Sequence, residues 1–108
     1  MEPNEITLIA TEVKIVGTVE VKSELHLFGH ILGELKGFPG SIIHLKEGSL
    51  VEGKIHADTV IVEGFVKGEI HCTQKVWVAP QGKVVGSIHT PSLQVDPGAV
   101  FEVKVGMV

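Results

Sequence analysis

The chain has 108 residues, of which 44% are hydrophobic, and its formal net charge is −4. This size and composition fit one compact domain, and the lack of any Lys/Arg cluster or aromatic run argues against a nucleic-acid partner. The single cysteine, Cys72, excludes an internal disulfide framework and indicates a reducing compartment. No stretch approaches the roughly 20 apolar residues of a transmembrane helix, and the first residues lack the basic start of a signal peptide. We therefore predict a cytoplasmic protein, without sequence support for membrane association.

Along the chain, a short pattern occurs five times: Ile or Val, any residue, Gly, any residue, then Val, Leu or Ile. Its central glycines are separated by 16, 20, 15 and 18 residues. A degenerate sixth copy spans residues 100–104, with Glu102 in place of the glycine. A unit of this length cannot bury its own apolar face, so neighbouring units must stack into a solenoid. The glycines of the five copies are Gly17, Gly33, Gly53, Gly68 and Gly86.

A second element with strict alternation of inward and outward residues lies between the glycine motifs. Period-2 alternation and β-branched residues indicate short strands, and the Gly and Pro residues between them indicate tight corners. The fold is therefore predicted to be all-β, a single parallel β-helix of about six short coils. The alternating triplets are Leu25–Leu27, Ile43–Leu45, Val60–Val62, Val76–Val78 and Leu93–Val95.

The predicted core is a continuous ladder of aliphatic side chains, each stacked on its equivalent in the next coil. The motif glycine is expected to allow a bend or a close backbone approach that a Cβ would obstruct. Cys72 aligns with Ala57 and Thr90 of other coils, which predicts a small inward packing residue. The inward motif residues are Ile31, Leu35, Val51, Ile55, Val66, Ile70, Val84 and Ile88, and the first and last residues of each triplet join them.

Three runs of this sequence, residues 51–72, 80–95 and 97–102, resemble the bactofilin family. The resemblance covers residues 11–105 and leaves residues 1–10 as a partly disordered or capping tail and residues 106–108 as a second tail. It implies a right-handed, triangular β-helix that polymerises into non-polar filaments without nucleotide or metal. It also implies a cytoskeletal scaffold with roles in bacterial cell shape, cell-wall modification and protein positioning.

Both ends of such a solenoid expose unpaired strand groups unless polar caps cover them, and this chain has no evident caps. The predicted partner is therefore the chain itself, joined head to head and tail to tail. Cell-wall enzymes or other scaffolded proteins are further candidate partners. The resemblance places a polymerisation phenylalanine at Phe101. The predicted polymerisation interface consists of Phe101, Val100, Val103 and Val105 at one end and Ile6, Leu8 and Ile9 at the other.

Recurring histidines, His56, His71 and His89, are predicted to form an outward column with neighbours about 4.8 Å apart. His26 and His44 begin a second column. Stacked imidazoles are candidate ligands for zinc or copper, but no metalloenzyme spacing accompanies them. A solvent-facing ladder is the preferred interpretation. We predict no metal, no cofactor and no catalytic residue.

Two other functions are also compatible with the sequence. One is a monomeric β-helical binding module, and the other is a metal-dependent enzyme that uses the stacked histidines. Sedimentation separates a monomeric module from a polymer, and an enzyme needs a ligand-binding cleft that a rod does not suggest. The scaffold remains the predicted function. Its predicted location is the cytoplasm, with the inner face of the cell membrane as an alternative.

Overall fold

The structure is a computed structural model that describes residues 6–107 and the side chains of residues 8–106. Every regular element in this range is a β-strand. The strands are β1 (Ile6–Ile9), β2 (Lys14–Val21), β3 (Glu24–Leu27), β4 (His30–Gly37), β5 (Ile42–Leu45), β6 (Leu50–Val62), β7 (Phe65–Val78), β8 (Lys83–Thr90), β9 (Leu93–Val95) and β10 (Val100–Met107).

The strands form two parallel stacks, one for each predicted element. The glycine motifs build the first stack, in the order β2, β4, the first half of β6, the first half of β7, β8 and β10. The alternating triplets build the second stack, in the order β1, β3, β5, the second half of β6, the second half of β7 and β9. In each coil the chain passes from one stack to the other and adds one strand to each. The predicted all-β parallel solenoid of about six coils is confirmed.

Hydrogen bonds between coils continue through the corners. At the end of successive triplets the Lys46 amide donates to the Leu27 carbonyl (2.9 Å), and the Glu63 amide donates to the Leu45 carbonyl (2.7 Å). The Ala79 amide donates to Val62 in the same way (2.9 Å). Because backbone polar groups must be paired when they are buried, these bonds allow the corners to stack as closely as the strands.

The core lies between the stacks and consists of the predicted aliphatic ladder. All eight inward motif residues from Ile31 to Ile88 have no exposed surface, and the first and last residues of the four triplets from Leu25 to Val78 are equally buried. The exception is the last triplet. Val95 stacks on Val78 but is 39% exposed, because no strand within residues 6–107 covers its other side.

The motif glycines approach one another along the first stack. Gly68 has a φ of 140° and lies on Gly53, and a Cβ built on Gly68 would stand 1.9 Å from the Gly53 carbonyl oxygen. Gly33, Gly53 and Gly86 repeat this arrangement. A side chain is therefore excluded both by the positive φ and by the next coil's backbone, which confirms the predicted close approach.

The sixth copy of the motif is placed one residue later than predicted. Val103, and not Glu102, pairs with Gly86, and Phe101 pairs with Val84. The predicted alignment would have put the Lys104 side chain over the buried Ile88. The observed register turns both charged residues outward, because a one-residue slip exchanges the two faces of a strand. Val103 takes the glycine position without a positive φ.

The strands also extend further than the predicted β-helix of residues 11–105. Strand β1 begins at Ile6 and pairs with β3, so residues 6–9 are part of the second stack. Strand β10 continues to Met107, opposite Thr90. Residues 1–5 and Val108 of the two predicted tails lie outside the described residues.

We expect Gly68→Ala to destabilise the fold more than Gly17→Ala does. Both glycines have positive φ, but a Cβ at Gly17 meets no atom within 4 Å, whereas one at Gly68 collides with Gly53. Strain at such a φ costs about 1–3 kcal/mol, and the collision should raise the loss at Gly68 to about 3 kcal/mol or more. Thermal unfolding of the two variants measures the difference, and equal losses would contradict the close-approach argument.

Candidate functional site

At the C-terminal end of the solenoid, the core ladder stops with one side uncovered. Phe101 and Val103 on β10 are half-buried and pack against the core. Val105 pairs with Ile88, yet Val105 is 42% exposed while Ile88 is completely buried. The difference between these partners arises because β10 has a neighbour on one side only within the described chain.

The N-terminal end has the same character on its first-stack face. Ile15 and Val19 on β2 pair with Ile31 and Leu35. Both are half-buried, whereas their partners have no exposed surface. On the second stack, Ile9 covers Leu27 and is 6% exposed. The first coil therefore offers an aliphatic surface to the solvent, as the last coil does.

The predicted interface residues divide into two groups by register. Phe101, Val103, Val105 and Ile9 stand in the core ladder. Leu8 pairs with His26 in the outward column and is 62% exposed.

The two remaining predicted residues, Val100 and Ile6, are not placed in the core ladder. Val100 pairs with Lys83 outside the ladder, and the side chain of Ile6 lies outside the described residues. Ile15 and Val19 were not among the predicted interface residues, although the first copy of the glycine motif contains both. Their part in an interface, like that of the predicted residues, stays a prediction.

The predicted histidine column is present on the outside of the first stack. The ring centroids of His56 and His71 are 4.8 Å apart, as are those of His71 and His89, and the rings are parallel within 6° and 8°. Carboxylates flank the column, with 3.8 Å from Glu34 Oε2 to His56 Nε2 and 3.5 Å from Glu69 Oε2 to His71 Nε2. The lone pair of an imidazole nitrogen lies in the ring plane, so stacked parallel rings cannot direct two nitrogens at one ion. This geometry does not support the enzyme that uses stacked histidines.

A different arrangement occurs at the start of the second column. The rings of His26 and His44 are 4.6 Å apart and tilted by 45°. Glu24 Oε2 lies 2.5 Å from His26 Nε2 and 3.6 Å from His44 Nε2. The hydrogen bond from His26 is the main cause of the lowered pKa of Glu24, and burial lowers the pKa of His44. The two histidines were predicted from the sequence to begin a column, but the carboxylate between them was not predicted.

At the corner beside the first histidine column, Asp58 connects three coils. Its carboxylate accepts hydrogen bonds from the Thr73 hydroxyl and the Gly40 amide. Both hydrogen bonds lower the pKa of Asp58, and the bond from Thr73 has the larger effect. Cys72 is buried there, in register with Ala57 as predicted. Burial raises the pKa of the Cys72 thiol to about 12, with a contribution from Asp58, so the thiol stays protonated at neutral pH.

The structure thus defines a class of protein: a parallel β-solenoid whose aliphatic ladder, within the described residues, is partly exposed on the first stack at both end coils. Residues 7–106 match a protein-family model described as "Bactofilin: Polymer-forming cytoskeletal". The chain belongs to the bactofilin family, as the sequence analysis predicted. Over residues 6–107 it contains no helix with the length and apolar character needed to cross a membrane.

Similar proteins agree with this assignment. Bactofilin BacP of Myxococcus xanthus (strain DK1622) is 28% identical over 101 residues, which are 94% of this chain and 41% of BacP. Bactofilin BacO of the same organism is 27% identical over 101 residues, which are 94% of this chain and 79% of BacO. The chain thus spans about two fifths of the length of BacP.

A solved structure confirms the fold. It is a cryo-EM reconstruction of Thermus thermophilus bactofilin double helical filaments, and it superposes with a TM-score of 0.79 at 20% identity. The match covers 94% of this chain and 99% of that chain.

We expect Asp58→Asn to lower the melting temperature at neutral pH, because one amide oxygen replaces two carboxylate oxygens that accept separate hydrogen bonds. The folded-state pKa lies below the ordinary value of 3.8. The stabilisation by the carboxylate is therefore complete above that value and is lost as the pH falls through the folded-state pKa. Melting curves from neutral to strongly acidic pH should show the difference between wild type and variant shrinking. A constant difference would mean that the carboxylate charge is not the cause.

Proposed function

We propose that this chain is a structural scaffold protein, and not an enzyme, that assembles end to end into filaments without nucleotide or metal. The observation that carries the proposal is the aliphatic ladder of the first stack, whose described end residues are partly exposed at both ends of the solenoid. The family description as polymer-forming and cytoskeletal supports it, as does the filament formed by the Thermus thermophilus protein.

The end strands supply what an end-to-end joint needs. Strand β10 pairs with β8 along its whole length, so a neighbour in the filament can pair with its other edge and cover Val105 and Phe101. Such pairing satisfies backbone groups and buries aliphatic surface in one step. Ile15 and Val19 on β2 provide the equivalent surface at the other end. The interior coils have no comparable surface, because each of their ladder residues is already covered.

We propose further that the joints are head to head and tail to tail. The two end strands differ at the glycine position, where β2 has Gly17 with a φ of 129° and β10 has Val103 without a positive φ. This difference does not decide the polarity, because Gly86 and Val103 already pair within the chain despite the same difference. Family membership is what supports non-polar joints. Two self-complementary joints generate an open, non-polar filament.

In the cell, we place this filament in the cytoplasm or at the inner face of the cell membrane. Its proposed roles are in cell shape, cell-wall modification and the positioning of other proteins, with cell-wall enzymes among the candidate partners. Family membership supports these roles. The outer faces of the solenoid are the surfaces available to such partners once the ends are joined.

We expect Phe101→Arg to abolish long filaments, because it places a charge on the half-buried surface of the tail joint. Phe38→Arg is the matched control, since Phe38 is 42% exposed and lies at a corner of the solenoid instead of an end strand. Sedimentation and negative-stain electron microscopy measure assembly, and circular dichroism verifies folding. If a folded Phe101→Arg protein forms long filaments, Phe101 does not contribute to the joint.

Single-end variants also test the polarity of the filament. With head-to-head and tail-to-tail joints, Phe101→Arg leaves the head joint intact and Ile15→Arg leaves the tail joint intact, so each variant forms dimers. The double variant is monomeric. If each single variant is instead a monomer, the subunits join head to tail and the proposed polarity is wrong. Analytical ultracentrifugation distinguishes these outcomes.

A further inference from the structure

Three metal-ligating side chains meet on the outer face of the second stack, near the N-terminal end. Glu24 and His26 are two residues apart on β3, so both point outward, and parallel pairing puts His44 of β5 beside His26. One ligand atom from each residue lies within 4.8 Å of the other two. Their side chains are 21–28% exposed, so an ion can reach them from the solvent.

The donor atoms suit zinc. Two imidazole nitrogens and one carboxylate oxygen form a common zinc set that keeps a fourth position for water. Zinc–ligand distances near 2.0–2.2 Å place tetrahedral ligand atoms about 3.3 Å apart. The separations of 2.5 and 3.6 Å between Glu24 and the two histidines differ from that spacing by about 0.8 and 0.3 Å. The separation between the two histidine nitrogens is within 4.8 Å and exceeds that spacing by about 1.5 Å at most.

The orientation of the rings separates this group from the parallel histidine column. A tilt of 45° between His26 and His44 allows their ring planes to intersect, and an ion on the line of intersection can accept a lone pair from each ring. Among the described residues, no other group of three His, Cys, Asp or Glu side chains comes together in this way. The parallel rings of the other column have no such line.

Without an ion, the Glu24 carboxylate accepts a hydrogen bond from His26 Nε2. Zinc binding replaces this bond, with the His26 ring proton on Nδ1 and the Nε2 lone pair directed at the ion. Leu8 and Ile61 lie on either side of the two histidines in the outward column, so the histidines have apolar neighbours. The nearby cation, Lys46, is directed to Glu63 at 3.8 Å. Neutral imidazoles and an ionised carboxylate are the protonation states that metal binding requires.

We propose that Glu24, His26 and His44 form a Zn²⁺ site that connects β3 to β5. This site goes beyond the proposed function and does not depend on it, because assembly is proposed to need no metal. Bound zinc holds two neighbouring coils together and stabilises the folded chain.

The test uses the full chain without an affinity tag, because a polyhistidine tag binds the same ions. The chain is treated with chelator, exchanged into neutral buffer and titrated with Zn²⁺ by calorimetry. Visible absorption of Co²⁺ then reports tetrahedral geometry. We expect a single ion per chain, and Glu24→Gln or His44→Gln should weaken binding about tenfold or more.

Glu69→Gln and His71→Gln are the matched controls. Glu69 and His71 have the same spacing on their strand and lie 3.5 Å apart, but their neighbouring rings are parallel. Both controls should bind zinc as the wild type does. A wild-type chain that binds no Zn²⁺ at neutral pH would overturn the proposal. So would loss of binding in the controls with retention in Glu24→Gln and His44→Gln.

Melting temperature is a second measurement, which also verifies that each variant folds. Zinc should raise the melting temperature of the wild type and of both controls, because an ion that binds only the folded chain stabilises it. At the same zinc concentration the rise should be smaller in Glu24→Gln and His44→Gln, because their binding is weaker. An equal rise in all five proteins would overturn the proposal, because the stabilising ion would then be bound elsewhere.

Discussion

Parallel pairing between coils is the constraint on which the rest of this structure depends. It places every residue directly beside its counterpart in the next coil, at the separation of neighbouring strands. A residue type that recurs at one position of the repeat must therefore pack against the same residue type in the coils above and below. The aliphatic residues satisfy this requirement as a buried ladder, the glycines as closely stacked backbone, and His56, His71 and His89 as parallel rings.

Features that repeat along the chain could be predicted from the sequence, and features of single coils could not. The glycine motif and the alternating triplets occur often enough to define the strands, the core and the outward histidine column. The register of the last coil has no glycine to mark it, so Val103 was not recognised as the counterpart of Gly86. The alternation of inward and outward residues along a strand could have corrected the predicted register, because the observed register is the one that turns Glu102 and Lys104 outward.

The two histidine groups show the same limit at the level of side chains. Strand spacing alone predicted the separation of the rings in the column of His56, His71 and His89. It could not predict the relative tilt of the rings in either group, which is 45° between His26 and His44 and 6° between His56 and His71. The tilted pair shares the carboxylate of Glu24. Rotamers of this kind depend on the contacts of one coil, and no repeat carries that information.

The corners have a mechanical consequence for a filament of such subunits. Hydrogen bonds between coils are directed along the solenoid axis, so tension along the filament acts on all the bonds of one rung together. Inside a subunit, the backbone also connects each coil to the next through a corner, whereas a joint between two chains has no covalent connection. Excess tension therefore separates the filament at its joints first. The pieces released are folded subunits with intact end strands, ready to join again when the load is removed.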